Sequence, residues 1–386
     1  MNVIVCGYGE IHLKGANRGF FLRKLEKNIK GILPQGTKVA VTDTRVLVTD
    51  YTDEQQTVER LQHVFGLTSI KVCQMVKYTK PEDILQYLKT LKLNGKFKVE
   101  INRANKNFPI KSPAFAAQCG DVILKSNAGA VVDVHHPETT VQIEIRNNGV
   151  AYVATGMEKG LGGLPVGVSG RALCLISGGI DSPVAAFLAM KRGLAVDFVH
   201  FATPPYTSDL ALAKVETLCR QVCTYGQEAK LYIVPFTEIG SRIQKNCHDQ
   251  YIITLMRRFM IALTEKIGLA NGADCIITGE NLAQVASQTI QGIASNNFVA
   301  KQLPILRPLI CFDKEEIVNL AKKIGTYETS ILPYEDCCTV FVPQHPAIKP
   351  NLADVLAEEE KLDFDTLVNN SYNTILCKSL PNTYAE

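Results

Sequence analysis

Hydrophobic and polar positions divide the chain into three stretches with different rhythms. The first opens with an apolar run, Val3 to Cys6, that predicts a strand. A helix with basic faces follows from about Arg18 to Ile32, and Pro34 and Gly36 end it. "KVAVTDTRVLVTDY" alternates as paired strands do. A helix near Thr57 to Val64 and a strand near Ser69 to Val76 complete a small α/β unit. The second stretch begins near Pro81. "PEDILQYLKTL" has helical spacing, "KFKVEINRANKNFP" is a strand running into a basic loop, and "SPAFAAQCGDVILKSN" is a helix. "TTVQIEIRNNGVAYVAT" predicts a hairpin, with Val141, Ile143 and Ile145 on one face and "NNG" as the turn. The glycine-rich, proline-broken run from Gly160 to Gly170 reads as a linker. The third stretch places apolar strands at Leu173–Ile176, Ala195–Phe201, Ala229–Val234 and Cys275–Thr278, with helices between. That alternation predicts an α/β fold with a doubly wound parallel sheet, whose ligands bind at the carboxyl ends of the strands.

At the end of the first of those strands stands "LCLISGGIDSPVA". Glycines at a strand-to-helix turn permit φ > 0 and close approach of a ligand. Successive amides there form an anion nest, and the following helix adds its positive end. Pro183 suits the first helical position and Ser182 the cap before it. Ser177 and Ser182 add two hydroxyl donors, so the loop suits phosphate; the alternative is a tight turn with a polar cap. It is not a Walker A loop, since no G-x-x-x-x-G-K-[ST] occurs.

Composition narrows the picture. The 386 residues suffice for two or three domains, and 46% hydrophobic with 20% charged is an ordinary globular balance. No run of 18 apolar residues exists and the N-terminus lacks a secretion signal, so a cytoplasmic protein without a membrane span is expected. The 12 cysteines, with no C-x-x-C pair, read as reduced thiols and not as a zinc site. Residues 1–157 carry 21 Lys and Arg against 14 Asp and Glu, a net +7; the remainder carries 20 against 24, a net −4. This suggests a polyanion-binding module beside a second, acidic one, the alternative being random surface charge.

"SGGIDSPVA" resembles the PP-loop of the ATP pyrophosphatase superfamily. Far more of the chain is similar to the tRNA 4-thiouridine synthetases, a family also linked to thiamine biosynthesis. "GEIHLKGANRGFF", "GLGGLPVG", "VHFATPPYTS", "MRRFM", "TGENLAQVASQT" and "LRPLICFDKEEI" occur in the family's order, over essentially all residues. The resemblance implies a ferredoxin-like domain (1–56), a THUMP tRNA-binding domain (57–157), a linker (158–170) and a PP-loop catalytic domain (171–386) with a short helical tail. Longer members append a rhodanese domain, and this chain ends at Glu386 without room for one. The implied activity is ATP-dependent thiolation of uridine 8 of tRNA through an adenylated uridine. Its implied cofactors are ATP and Mg²⁺, and its implied sulfur source is the persulfide of a cysteine desulfurase. Service to the thiamine-pathway sulfur carrier protein and assembly as a homodimer are left open.

The same resemblance implies roles for individual residues. Ser177, Gly178, Gly179 and Ser182 hold pyrophosphate, and Asp181 positions Mg²⁺ or the phosphates. Leu175 and Ile176 lie against ATP, though core packing fits them equally; His200 and Phe201 lie near the adenine. Arg257 contacts phosphate, with the adjacent Arg258 open to confusion with it. Gly279 and Gln288 complete the nucleotide contacts, against the plain alternatives of a turn glycine and a surface amide. Cys337, after "YED", is the expected sulfur-handling thiol; Cys338 is an extra, and Cys377 a candidate resolving partner. Arg103, Lys106, Lys111 and Lys125 are placed to meet tRNA phosphates. Two rival functions remain: another PP-loop tRNA-modifying synthetase, and an ATP-regulated RNA-binding protein without chemistry.

Overall fold

The computed structural model describes residues 1–42, 44–226, 228–285, 287–334, 341 and 346–384. They form two compact units, residues 1–162 and 163–386.

The first unit runs β1 (Asn2–Tyr8), α1 (Arg18–Lys30), β2 (Lys38–Val41), β3 (Val46–Thr49), α2 (Glu54–Gln62) and β4 (Leu67–Lys77). It continues through α3 (Pro81–Leu88), β5 (Gly95–Arg103), α4 (Ser112–Ser126), β6 (Ala130–Val132), β7 (Thr139–Ile145), β8 (Val150–Ala154) and β9 (Glu158–Lys159). One nine-stranded sheet, in order β2-β3-β1-β4-β8-β7-β5-β6 with β9 against β4, joins all of it. β1 pairs with β3 and β4 on its two edges and is buried on both faces from Val3 to Tyr8, which explains its continuous apolar run where a half-exposed strand would alternate. The sheet crosses the expected division at residue 56 through the antiparallel pair β1–β4. The apolar residues of β7, Val141, Ile143 and Ile145, enter one core with Phe97, Phe115 and Ile123. Of the stretch expected as a linker, Gly160 and Gly162 donate to the Thr68 and Leu67 carbonyls of the first unit. Leu164, Gly167 and Ser169 donate to the Lys191 and Gly193 carbonyls of the second.

The second unit comprises β10 (Arg171–Leu175), α5 (Asp181–Lys191), β11 (Ala195–Ala202), α6 (Asp209–Cys223), β12 (Ala229–Pro235), α7 (Thr237–Asn246) and α8 (Ile252–Ala270). It then continues with β13 (Cys275–Ile277), α9 (Ile290–Val299), β14 (Ile305–Leu306), α10 (Lys314–Lys323), α11 (Tyr327–Ser330), α12 (Leu352–Glu359), α13 (Phe364–Asn373) and β15 (Leu376–Leu380). Strands β14-β13-β10-β11-β12 are parallel, the doubly wound sheet expected. β15 closes the β12 edge antiparallel. The tail is therefore not only helical: "LCKSL" is too short and too exposed to signal a strand by pattern, and its pairing with β12 decides the matter. No described helix is long and apolar enough to cross a membrane.

Three local features of the loop after β10 differ from expectation. Neither Gly178 nor Gly179 has positive φ. Space does not demand glycine there either: a Cβ on Gly178 would make ordinary contact with the Lys214 side chain at 3.4 Å, and one on Gly179 with Ser177 Oγ at 3.4 Å. The helix starts at Asp181, not after Ser182. The Ser182 hydroxyl turns back to accept from Ser177 N at 3.0 Å and lies 3.2 Å from the Ser177 hydroxyl, so it ties the loop shut instead of capping the helix. Pro183, in third position, still lacks only an N–H that the first turn leaves unbonded.

The start of α5 is pressed against the residue that follows β13. A Cβ on Gly279 would lie 2.9 Å from Ser182 N and 3.1 Å from Asp181 C, and rigid backbone cannot yield there. Gly279→Ala is expected to destabilise the second unit by about 1–3 kcal/mol through overpacking. Urea denaturation of the purified variant measures this, and an unchanged midpoint contradicts the contact.

Candidate nucleotide site

A cavity of about 260 Å³ opens at the carboxyl ends of β10, β11 and β13. Leu175, Ile176, Ser177, Asp181, Ser182, His200, Phe201, Arg257, Gly279 and Gln288, ten residues expected at a nucleotide, all line it. Leu175 lines the cavity and also packs on the core. Gly178 and Gly179 lie on the loop beside the cavity, with Gly179 N donating to Ser177 Oγ at 3.3 Å. His200 joins β11 to β10: its Nδ1 is 3.1 Å from the Ile176 carbonyl, and since a carbonyl only accepts, Nδ1 carries the proton. Gln288 is buried, not a surface amide, and its Oε1 has no partner among the described residues.

Two adjacent arginines on α8 part company. Arg258 is 1% exposed and bidentate to Glu359, at 2.6 and 2.9 Å, with a third bond to the Ser295 carbonyl. It is a core ion pair. Arg257, one residue back and thus about 100° around the helix, faces the cavity and donates to Glu280 Oε1 at 2.6 Å.

Several residues around the loop and cavity lie outside the motif-based reading. Asp181 accepts from Lys314 Nζ at 2.6 Å and from Gln284 Nε2 at 2.8 Å. Lys314 heads α10, 133 residues further along the chain. Lys214 of α6 lies along Gly178 and donates to the Leu332 carbonyl. Glu280 is 5% exposed and takes four donors: Arg257 and Asn296 on Oε1, Arg307 and Thr278 on Oε2. Burial alone would raise its carboxyl pKa; Arg257 and Arg307 outweigh burial and hold it below the ordinary value. A closed loop with Lys214, Lys314 and Arg257 around it suits a polyphosphate.

In the first unit, Lys106 and Lys111 stand exposed on the connection between β5 and α4. Lys125 is paired with Asp121 at 2.6 Å. Arg103 spends its Nη1 on the Phe108 and Ile110 carbonyls, which shapes that same connection. Among ten described cysteines, Cys311 and Cys377 are exposed and eight are buried. Burial raises the Cys73 thiol to about 12 and Cys247 and Cys275 to about 11. Cys337 and Cys338 lie outside the described residues.

A doubly wound domain with a Ser-Gly-Gly loop and an aspartate at its strand ends defines the PP-loop class of nucleotide-binding domains. Residues 167–364 match the family described as thiamine biosynthesis protein (ThiI), residues 3–70 its ferredoxin-like domain, and residues 84–154 the THUMP domain. The probable tRNA sulfurtransferase of Thermoanaerobacter sp. (strain X514) is 44% identical over 96% of this chain and 97% of its own. That of Caldanaerobacter subterraneus subsp. tengcongensis is 45% identical over the same shares. The crystal structure of a 4-thiouridine synthetase–RNA complex with bound ATP superposes with a TM-score of 0.89 at 34% identity, covering 98% of this chain and 100% of that one. The chain belongs to the ThiI family.

The Glu280 cluster makes stability pH-dependent with a defined sign. Its folded pKa lies below the unfolded one, so its contribution is present above the unfolded pKa and lost as pH falls through the folded one. The stability advantage of the natural chain over Glu280→Gln is expected to be full above about pH 5 and to shrink toward pH 3. Urea denaturation across that range checks it; an advantage constant with pH would refute the ionised assignment.

Proposed function

We propose that this chain is an ATP-dependent tRNA sulfurtransferase that forms 4-thiouridine, at uridine 8 by family resemblance. The observation that carries the reading is one cavity in which the serine-glycine loop, Asp181 with Lys314, and Arg257 meet. The relatives' names and the ATP and RNA of the neighbouring structure support it. The apolar end of the cavity at Leu175, Ile176 and Phe201 takes the adenine, and the loop and its lysines take the β- and γ-phosphates. Arg257 meets charge at the α-phosphate. Asp181 fits Mg²⁺: that ion is commonly held by one or two carboxylates plus phosphates, and each Asp181 oxygen has one protein donor and a further lone pair. The ion would neutralise phosphate charge there.

Uracil O4 attacks the α-phosphorus, pyrophosphate leaves, and the ring N3 proton departs. Sulfur from a persulfide then adds at C4 and AMP leaves. When the persulfide sits on Cys337, the S–S bond to the base must break through a second thiol, and the resulting disulfide is reduced by an external thiol. A cysteine desulfurase is the proposed sulfur source, and the thiamine-pathway carrier protein a further acceptor. Lys106 and Lys111 are the proposed phosphate contacts for tRNA, on the domains proposed as ferredoxin-like and THUMP.

Asp181→Ala is expected to abolish thiolation while tRNA affinity stays within about twofold, because RNA is held by phosphate contacts elsewhere. Thiolation assays and filter binding test this; wild-type activity would overturn the site. Cys337→Ser is expected to release pyrophosphate with ATP and tRNA yet make no 4-thiouridine, since adenylation needs no thiol. Mass spectrometry after persulfide treatment should find added sulfur on the Cys337 peptide. Full thiolation by Cys337→Ser, with sulfur only on Cys338 or Cys377, would refute that assignment.

A further inference from the structure

Asn296, on α9, is 2% exposed and lines the cavity. Its Nδ2 donates to Glu280 Oε1 at 3.3 Å. An ionised carboxylate only accepts, so the amide cannot present its oxygen to Glu280, and its orientation is fixed. The Oδ1 atom is left buried, with no partner among the described residues. A buried carbonyl oxygen lining a cavity calls for an N–H or O–H donor from the occupant.

Strand order says which occupant. β10, which carries the phosphate loop, has β11 on one side and β13 on the other. The β11 side offers His200 and Phe201, with the apolar ends of β10. The β13 side carries the polar residues Glu280, Arg257, Gln288 and Asn296, with Ile261 packed against β13 beside them. A base that stacks on apolar surface belongs on the first side. The nucleophile must reach the α-phosphorus opposite the departing pyrophosphate, which leaves the second side for the acceptor base.

We propose that Asn296 Oδ1 accepts the N3–H of the target uracil, setting O4 toward the α-phosphorus and rejecting cytosine, whose N3 is itself an acceptor. This rests on the sulfurtransferase reading. The amide accepts a hydrogen bond and takes no proton; when the O4–phosphorus bond forms and pyrophosphate leaves, the N3 proton passes to pyrophosphate or water. Glu280 acts through Asn296 as a positioning residue, because it alone decides which end of the amide faces the base.

The test is a two-by-two cycle on the full chain. Natural protein and Asn296→Ala are each assayed, with a persulfide donor present, for tRNA-dependent pyrophosphate release with a tRNA carrying uridine, or 3-deazauridine, at the thiolated position. The natural protein should lose about tenfold in kcat/KM on 3-deazauridine, and Asn296→Ala about tenfold on uridine, the size of one buried hydrogen bond lost. The double change should cost no more than either, with the Kd for ATP within about twofold throughout. A merely structural role for Asn296 would give multiplicative losses, and that overturns the proposal. A tenfold rise in the Kd for ATP in Asn296→Ala would place the amide on the nucleotide and also overturn it. Natural protein that treats 3-deazauridine as uridine overturns it whether or not the variant folds. Absence of tRNA-dependent pyrophosphate release by the natural protein with unmodified tRNA would instead overturn the sulfurtransferase reading itself.

Discussion

The second unit's site depends on one buried carboxylate. Glu280 sits at 5% exposure, where an unpaired charge costs several kcal/mol. Arg257 and Arg307 make it tolerable, and the exchange is unequal: two guanidiniums share one carboxylate. One unit of positive charge is left in the wall, and Arg307 Nη2 is buried with no partner among the described residues. A low-dielectric wall with surplus positive charge is incomplete until an anion arrives. The same carboxylate sets the Asn296 amide and holds Thr278 at the end of the strand, so it links the phosphate end of the cavity to its polar end.

Rigidity at the loop has a different source. The Ser177 and Ser182 hydroxyls bond each other, and the Ser182 hydroxyl also bonds the Ser177 backbone, while Gly279 lets the β13 end press against the first turn of α5. Asp181, in that first turn, is held from two further directions by Gln284 and Lys314. A charge-assisted pair that is half exposed on the lysine side contributes little stability. Its value lies in placing the carboxylate without a search among rotamers.

Much of this was legible in the sequence, for physical reasons that also say what was not. The parallel sheet announces itself because buried strands need unbroken apolar runs, and the loop because serine, glycine and aspartate cluster where a strand ends. Arg257 and Arg258 could not be told apart by composition; only helical phase against neighbouring elements sends one to the cavity and the other to Glu359. Lys314 and Asn296 carry no local signature, since their meaning arises from contacts 133 and 16 residues away. The Ser182 cap was a sound local expectation, and a longer-range bond to Ser177 outcompeted it. The glycines misled in a similar way: two in a row suggest positive φ, but neither adopts it, and a Cβ at either would make only ordinary contacts, with Lys214 or Ser177.

Charge divides as the units do. Adding Glu158 and Lys159 changes nothing, so residues 1–162 carry +7 and residues 163–386 carry −4. An acidic unit repels RNA phosphates at long range, yet Lys214, Arg257, Arg307 and Lys314 gather at one place within it. A recessed positive site in an acidic surround favours a small, highly charged anion that can enter over a long backbone that cannot. The basic unit, with Lys106 and Lys111 exposed, is the better match for a phosphate backbone, and the proposed function asks the acidic unit to accept only a nucleotide and one base. Burial narrows the sulfur chemistry in the same manner. Eight cysteines are buried, and desolvation denies them the thiolate form at neutral pH wherever a shift is resolved. What is left for persulfide exchange is Cys311, Cys377 and the adjacent pair Cys337 and Cys338, all on the unit that holds the nucleotide site.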